Sequence, residues 1–191
     1  MHVTVGNMKT RKQVGQIPSN VLAVLRFALK RDGTPVLSVN RRDGTVAWQR
    51  QSFFFPVHDL THYAAESVLG LREAFWGMMA DGWEFSDFGS PWPRGRMPNE
   101  PEALLAECIA GWFDHVRTGG VEPTVEGLNE SLREIFARNG WTPPRTVTAD
   151  EFARISALRD ALAARWHALQ PGEAFELAFT ADAAAAVEAV R

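Results

Sequence analysis

His58, Asp59, His62 and Glu66 fall within nine consecutive residues, His58-Asp59-Leu60-Thr61-His62-Tyr63-Ala64-Ala65-Glu66. On an α-helix, residues four apart share a face and are separated by about 6 Å along the axis, so both imidazoles can turn a ring nitrogen toward one metal ion. Glu66 lies eight residues beyond His58. That is a rise of about 12 Å, close to the summed reach of a His and a Glu side chain. The spacing therefore predicts a two-histidine half-site at His58 and His62, with Glu66 orienting His62 from behind and a further ligand brought from elsewhere. Glu102, Glu107, Asp114, His115 and His167 are the available donors in the helical part of the chain, and nothing in the sequence chooses among them. Zinc is the cofactor this donor set suits, and Asp59 and Glu66 are the carboxylates placed for acid/base work in a hydrolytic reaction if the centre is catalytic.

The same residues also fit a non-enzymatic account. Asp59 then stabilises a helix N-terminus through the dipole, His58 bonds a neighbouring backbone group, and His62 with Glu66 is an ordinary pair one turn apart. In that case the protein is a binding or assembly module, and its partner is a small molecule or a protein, a second copy of the chain included. The aromatic residues Trp83, Phe85, Phe88 and Trp92 could line a pocket or fold back over the core.

The elements that position the cluster can be read from pattern. Val21 to Lys30 and Pro35 to Asn40 are apolar, β-branched-rich runs, each followed by an Arg-Asp-Gly-Thr type turn in which glycine supplies a positive φ. A third run, Val46 to Phe55, completes an antiparallel meander that Pro56 stops. From Val57 the apolar period changes to about 3.6, with Val57, Leu60, Ala64, Val68, Leu71, Phe75 and Met78 on one stripe, predicting one long helix from His58 to Ala80. Its opposite face carries Ala65, Leu69 and Trp76 beside the histidines. A helix apolar on both sides belongs at the centre of a fold.

Trp83 to Asn99 reads as an irregular segment of binding-loop length. Further helices are predicted over Glu100 to Arg117, from a Thr124 cap to Arg138, and from Thr148 to about Leu169, where Thr148 and Glu151 have capping-box spacing. Glu173 to Thr180 alternates like a strand able to rejoin the meander, and Ala181 to Arg191 suits a terminal helix. The expected organisation is a flexible arm at 1–20 and a single α+β domain at 21–191. Within it, 21–55 is the meander, 56–170 the helical part and 173–191 the strand and terminal helix. Its three or four antiparallel strands pack on a long central helix with additional helices around it.

Two resemblances attach to this stretch. His58-Asp59-x-x-His62 resembles the zincin motif His-Glu-x-x-His with Asp in place of the general-base Glu, one methylene shorter. The longer stretch from Ser52 through Glu66, continuing by Gly70-Leu71 to Phe75-Trp76-Gly77, resembles a group of small bacterial proteins of unknown function that share a His-Asp-Leu-x-His-Tyr-x-x-Glu core between a strand and a helix. That resemblance implies the fold setting of the motif and no activity.

Composition narrows the class. The chain has 191 residues, enough for one sizeable core, with 7 Trp and 12 Phe against 1 Tyr. A single cysteine, Cys108, excludes an internal disulfide and reads as a core residue. The polar start Met1 to Lys12 has no signal-like apolar run, and no stretch approaches the roughly 18 apolar residues of a membrane span, which together predict a cytoplasmic protein without a membrane partner. Net charge divides unevenly: residues 1–50 hold nine Lys/Arg against two Asp, and the remaining eleven Arg face twenty-one Asp/Glu. The basic charges are scattered over strands and turns without interleaved aromatics, which argues against nucleic acid as the partner.

Overall fold

A computed structural model describes residues 17–88, 100–119 and 122–180. The expected arm at 1–16 and the terminal helix from Ala181 lie outside the described residues, as does the stretch 89–99 with Trp92. The fold is α+β. Strands β1 (Val21–Leu29), β2 (Pro35–Arg41), β3 (Val46–Arg50) and β4 (Ala174–Thr180) form one antiparallel sheet in the order β3-β2-β1-β4. Both hairpins turn as their sequences require. Gly33 and Gly44 have φ of 80° and 82°, and Asp32 and Asp43 each accept the amide of the threonine two residues on. Alternation puts Ala23, Leu25 and Phe27 of β1, Leu37 and Val39 of β2, and Phe175, Leu177 and Phe179 of β4 into the core, so one face of the sheet is covered and, among the described residues, the other is open.

Helix α1 (Phe55–Leu69) is buried on nearly every side. Tyr63 donates to the carbonyl of Ala178 in β4 at 2.9 Å, fixing the helix to the sheet. Helices α3 (Glu100–Gly119) and α5 (Ala149–His167) cover its other flanks, and α4 (Val125–Arg138) packs on α3. Thr148 and Glu151 form the predicted reciprocal cap of α5. Thr124 caps α4 through the Gly127 amide, and a Cβ at Gly127 would meet the Trp112 ring at 2.8 Å, so that ring would have to shift.

Two expectations are corrected. The third strand stops at Arg50, and Pro56 lies in the first turn of α1, where its missing N–H costs nothing; it opens the helix rather than ending the strand. The single long helix to Ala80 is in fact two, because Gly70 adopts the left-handed conformation (φ 71°) and the chain turns before α2 (Phe75–Ala80). The apolar stripe runs on across the break since both helices face one core. Within the long irregular segment, Phe85–Phe88 form a short 3-10 turn, with Trp83 and Phe85 buried in the core. Among the described residues, no helix is long and apolar enough to cross a membrane.

Candidate metal centre

The break at Gly70 builds the back wall of the site. Glu66, fully buried, accepts the Trp76 amide through Oε2 at 2.8 Å, so the first turn of α2 points its free N–H groups at this carboxylate. Its Oε1 lies 3.3 Å from Nδ1 of His62. The other imidazole nitrogen, Nε2, faces Oε1 of Glu107 on α3 at 3.6 Å. His58, one turn earlier, gives its Nδ1 to Asp114 at 2.7 Å, and Arg117 holds the second oxygen of that carboxylate at 3.2 Å.

Both histidines are thus oriented from behind by a carboxylate, and the ring centroids stand 4.9 Å apart. One ligand atom each from His58, His62 and Glu107 can be chosen so that all lie within 4.8 Å of one another, a group that could hold a metal ion. A tetrahedral ion with bonds of about 2.0–2.2 Å needs its donors roughly 3.3 Å apart. The set must therefore draw in, and Glu107 can do so because its side chain is 58% exposed whereas that of His62 is 2% exposed. Phe54 and Phe55 flank His58 at ring distances of 6.0 and 6.2 Å, and Phe75 flanks His62 at 5.5 Å, leaving solvent access on the Glu107 side.

Four carboxylates, those of Asp59, Glu66, Glu107 and Asp114, surround two imidazoles. Burial disfavours a charged His62, yet Glu107 and Glu66 outweigh it and push its pKa up to about 10. Partial desolvation opposes ionisation of Glu107, but His62 and His58 hold its pKa below the ordinary range. Glu66 is raised by its burial against the pull of His62 and the Trp76 and Gly77 amides. Asp59 is raised by burial to about 6, with His58, its bond from the Gln51 amide and His62 acting the other way. Two imidazoles and a solvent-reaching Glu107, with further carboxylates behind them, form a donor set that a divalent cation can join.

Of the donors offered by the sequence, Glu107 is the one beside both histidines. Asp114 serves His58 from behind, and Glu102 is occupied by the amides of Arg72 and Glu73 at 2.9 and 2.7 Å. His115 and His167 are exposed on α3 and α5. Gln51, the partner of Asp59, was invisible to pattern reasoning because its contact depends on how β3 leads into α1. Compared with known proteins, the chain matches no family, no curated protein and no solved structure.

Proposed function

We propose that the chain is a divalent-metal protein whose His58, His62 and Glu107 hold zinc, with a hydrolytic reaction at the open side of the ion. The observation that carries this reading is the pairing of each histidine with a buried carboxylate at Nδ1, in a group where His58, His62 and Glu107 each bring one donor atom within 4.8 Å of the others and Nε2 of His62 faces Glu107. Such pairing keeps the Nδ1 proton of His62 on Glu66, so that a metal would take the place of the Nε2 proton that Glu107 otherwise attracts. A zinc ion there supplies a Lewis-acid centre that polarises an oxygen and acidifies a coordinated water. Glu66 and Asp114 keep the imidazoles aimed. Asp59, its carboxyl pushed up to about 6 by burial, is the group we assign to take and return a proton. Phe54, Phe55 and Phe75 place aromatic surface beside the histidines.

The rival is a structural cluster, favoured by the fact that His62 already finds charge partners in Glu66 and Glu107. Metal analysis of protein purified without an affinity tag separates the two. The expected result is one zinc per chain, lost in His62→Ala and weakened in Glu107→Gln. Metal-free protein whose melting temperature ignores both zinc and chelator would establish the structural reading instead.

A further inference from the structure

The open face of the sheet carries a second, chemically different site. Strand register places Trp48, Ser38 and Arg26 side by side across β3, β2 and β1, and Arg50, Val36 and Ala28 in the next row toward the β1–β2 hairpin. Apart from Ala28, which is buried, these residues are the less buried partners of the core alternation. Short side chains in the middle strand make a floor, with Trp48 on one side and Arg26 on the other, two strand spacings or about 10 Å apart. The hairpin closes the end with Lys30 and Arg31. The resulting trough has a volume of about 640 Å³, within the range of small-molecule sites.

Four cations, Arg26, Lys30, Arg31 and Arg50, line it together with the Trp48 side chain. Two carboxylates moderate them. Asp32 is held at the turn by the Thr34 amide at 3.0 Å, and Glu176 meets Arg26 at 3.7 Å on the rim, both partners well exposed. The balance remains positive on a chain whose net charge is −3. Basic charge spread along the sequence is gathered by the sheet around one tryptophan, an arrangement hidden until the register is known. We propose that this trough binds a nucleoside polyphosphate, its base stacked on Trp48 and its phosphates between Arg26, Arg50 and the hairpin cations. A single nucleotide fits better than a strand of nucleic acid. The next row along the face, Val24, Asn40 and Val46, has neither cation nor ring to continue a track.

Calorimetric titration of the full chain with adenosine triphosphate, in chelator so that the metal centre does not contribute, tests the proposal. Saturable one-to-one binding is expected, with Trp48→Ala weakening it about fivefold or more while affinity for inorganic triphosphate stays unchanged. Arg50→Ala, at an exposed strand end, should weaken both probes, and raised salt should do the same. His62→Ala should leave both affinities unaltered. Absence of saturable binding overturns the proposal, as does a Trp48→Ala protein of unchanged circular dichroism that binds like the parent. Tighter binding of an oligothymidylate than of the mononucleotide would assign the face to single strands instead.

Discussion

Replacing Glu66 with glutamine isolates what its charge does from what its shape does. The wild-type carboxylate has fixed obligations: Oε2 to the Trp76 amide at 2.8 Å and Oε1 to Nδ1 of His62 at 3.3 Å. In Glu66→Gln the backbone donor can only be met by the amide oxygen, so the NH2 group turns to His62. In the neutral imidazole that a metal requires, Nδ1 must then be the acceptor and the one proton must sit on Nε2, the nitrogen that faces Glu107. The lone pair needed by a metal is lost although no ligand has been mutated. The expected cost is about 10- to 100-fold in zinc affinity. Stability should fall by only about 1–2 kcal/mol, the difference between charged and neutral acceptors, or about 2–8 °C in melting temperature for a chain of this size. Glu66→Ala should cost about 2–4 kcal/mol because it leaves a buried amide without a partner. Zinc titration, thermal melting and nitrogen-15 shifts of the His62 ring read the effects separately. A folded Glu66→Gln protein that binds zinc like the parent, with Nδ1 still protonated, would refute the orientation argument.

Other consequences can be checked by melting or denaturation. Gly77→Ala would put a Cβ 1.8 Å from the Arg72 carbonyl oxygen, so it should lower stability by about 2 kcal/mol or more and disturb the amides facing Glu66. Gly70→Ala, at φ 71°, should cost about 1 kcal/mol through backbone strain alone. Thr148→Ala should cost about 1 kcal/mol by removing half of the α5 capping box. Glu151 has its pKa held below the ordinary value: burial opposes this, but the Thr148 bonds and Arg145 prevail. Its contribution is therefore complete above the unfolded carboxylate pKa and disappears as pH falls through the lower folded value, so Glu151→Gln should flatten stability against pH in the acid range.

What the sequence discloses here is mostly local. The Asp-Gly turns, the Thr148 box and the Thr124 cap each depend on two or three neighbouring residues, and each is found where the pattern predicts it. The returning strand was legible from its alternation, with Phe175, Leu177 and Phe179 inward. The helix break is not legible in the pattern because periodicity measures which face is apolar and is blind to a single left-handed glycine between two helices on one core. Glu107 could not be singled out for a related reason. It shares a helix with Asp114, and only the way α3 lies along α1 puts one carboxylate before the histidines and the other behind.

The turn at Gly70 also makes the Trp76 amide a reporter. Its proton sits between two helices, on a carboxylate with no exposed surface. It can exchange with solvent deuterium only when the joint between those helices opens. Opening the joint also releases His62 from its orienting group, so the exchange rate of this one proton measures how often the centre is out of alignment, and a bound ion should slow it.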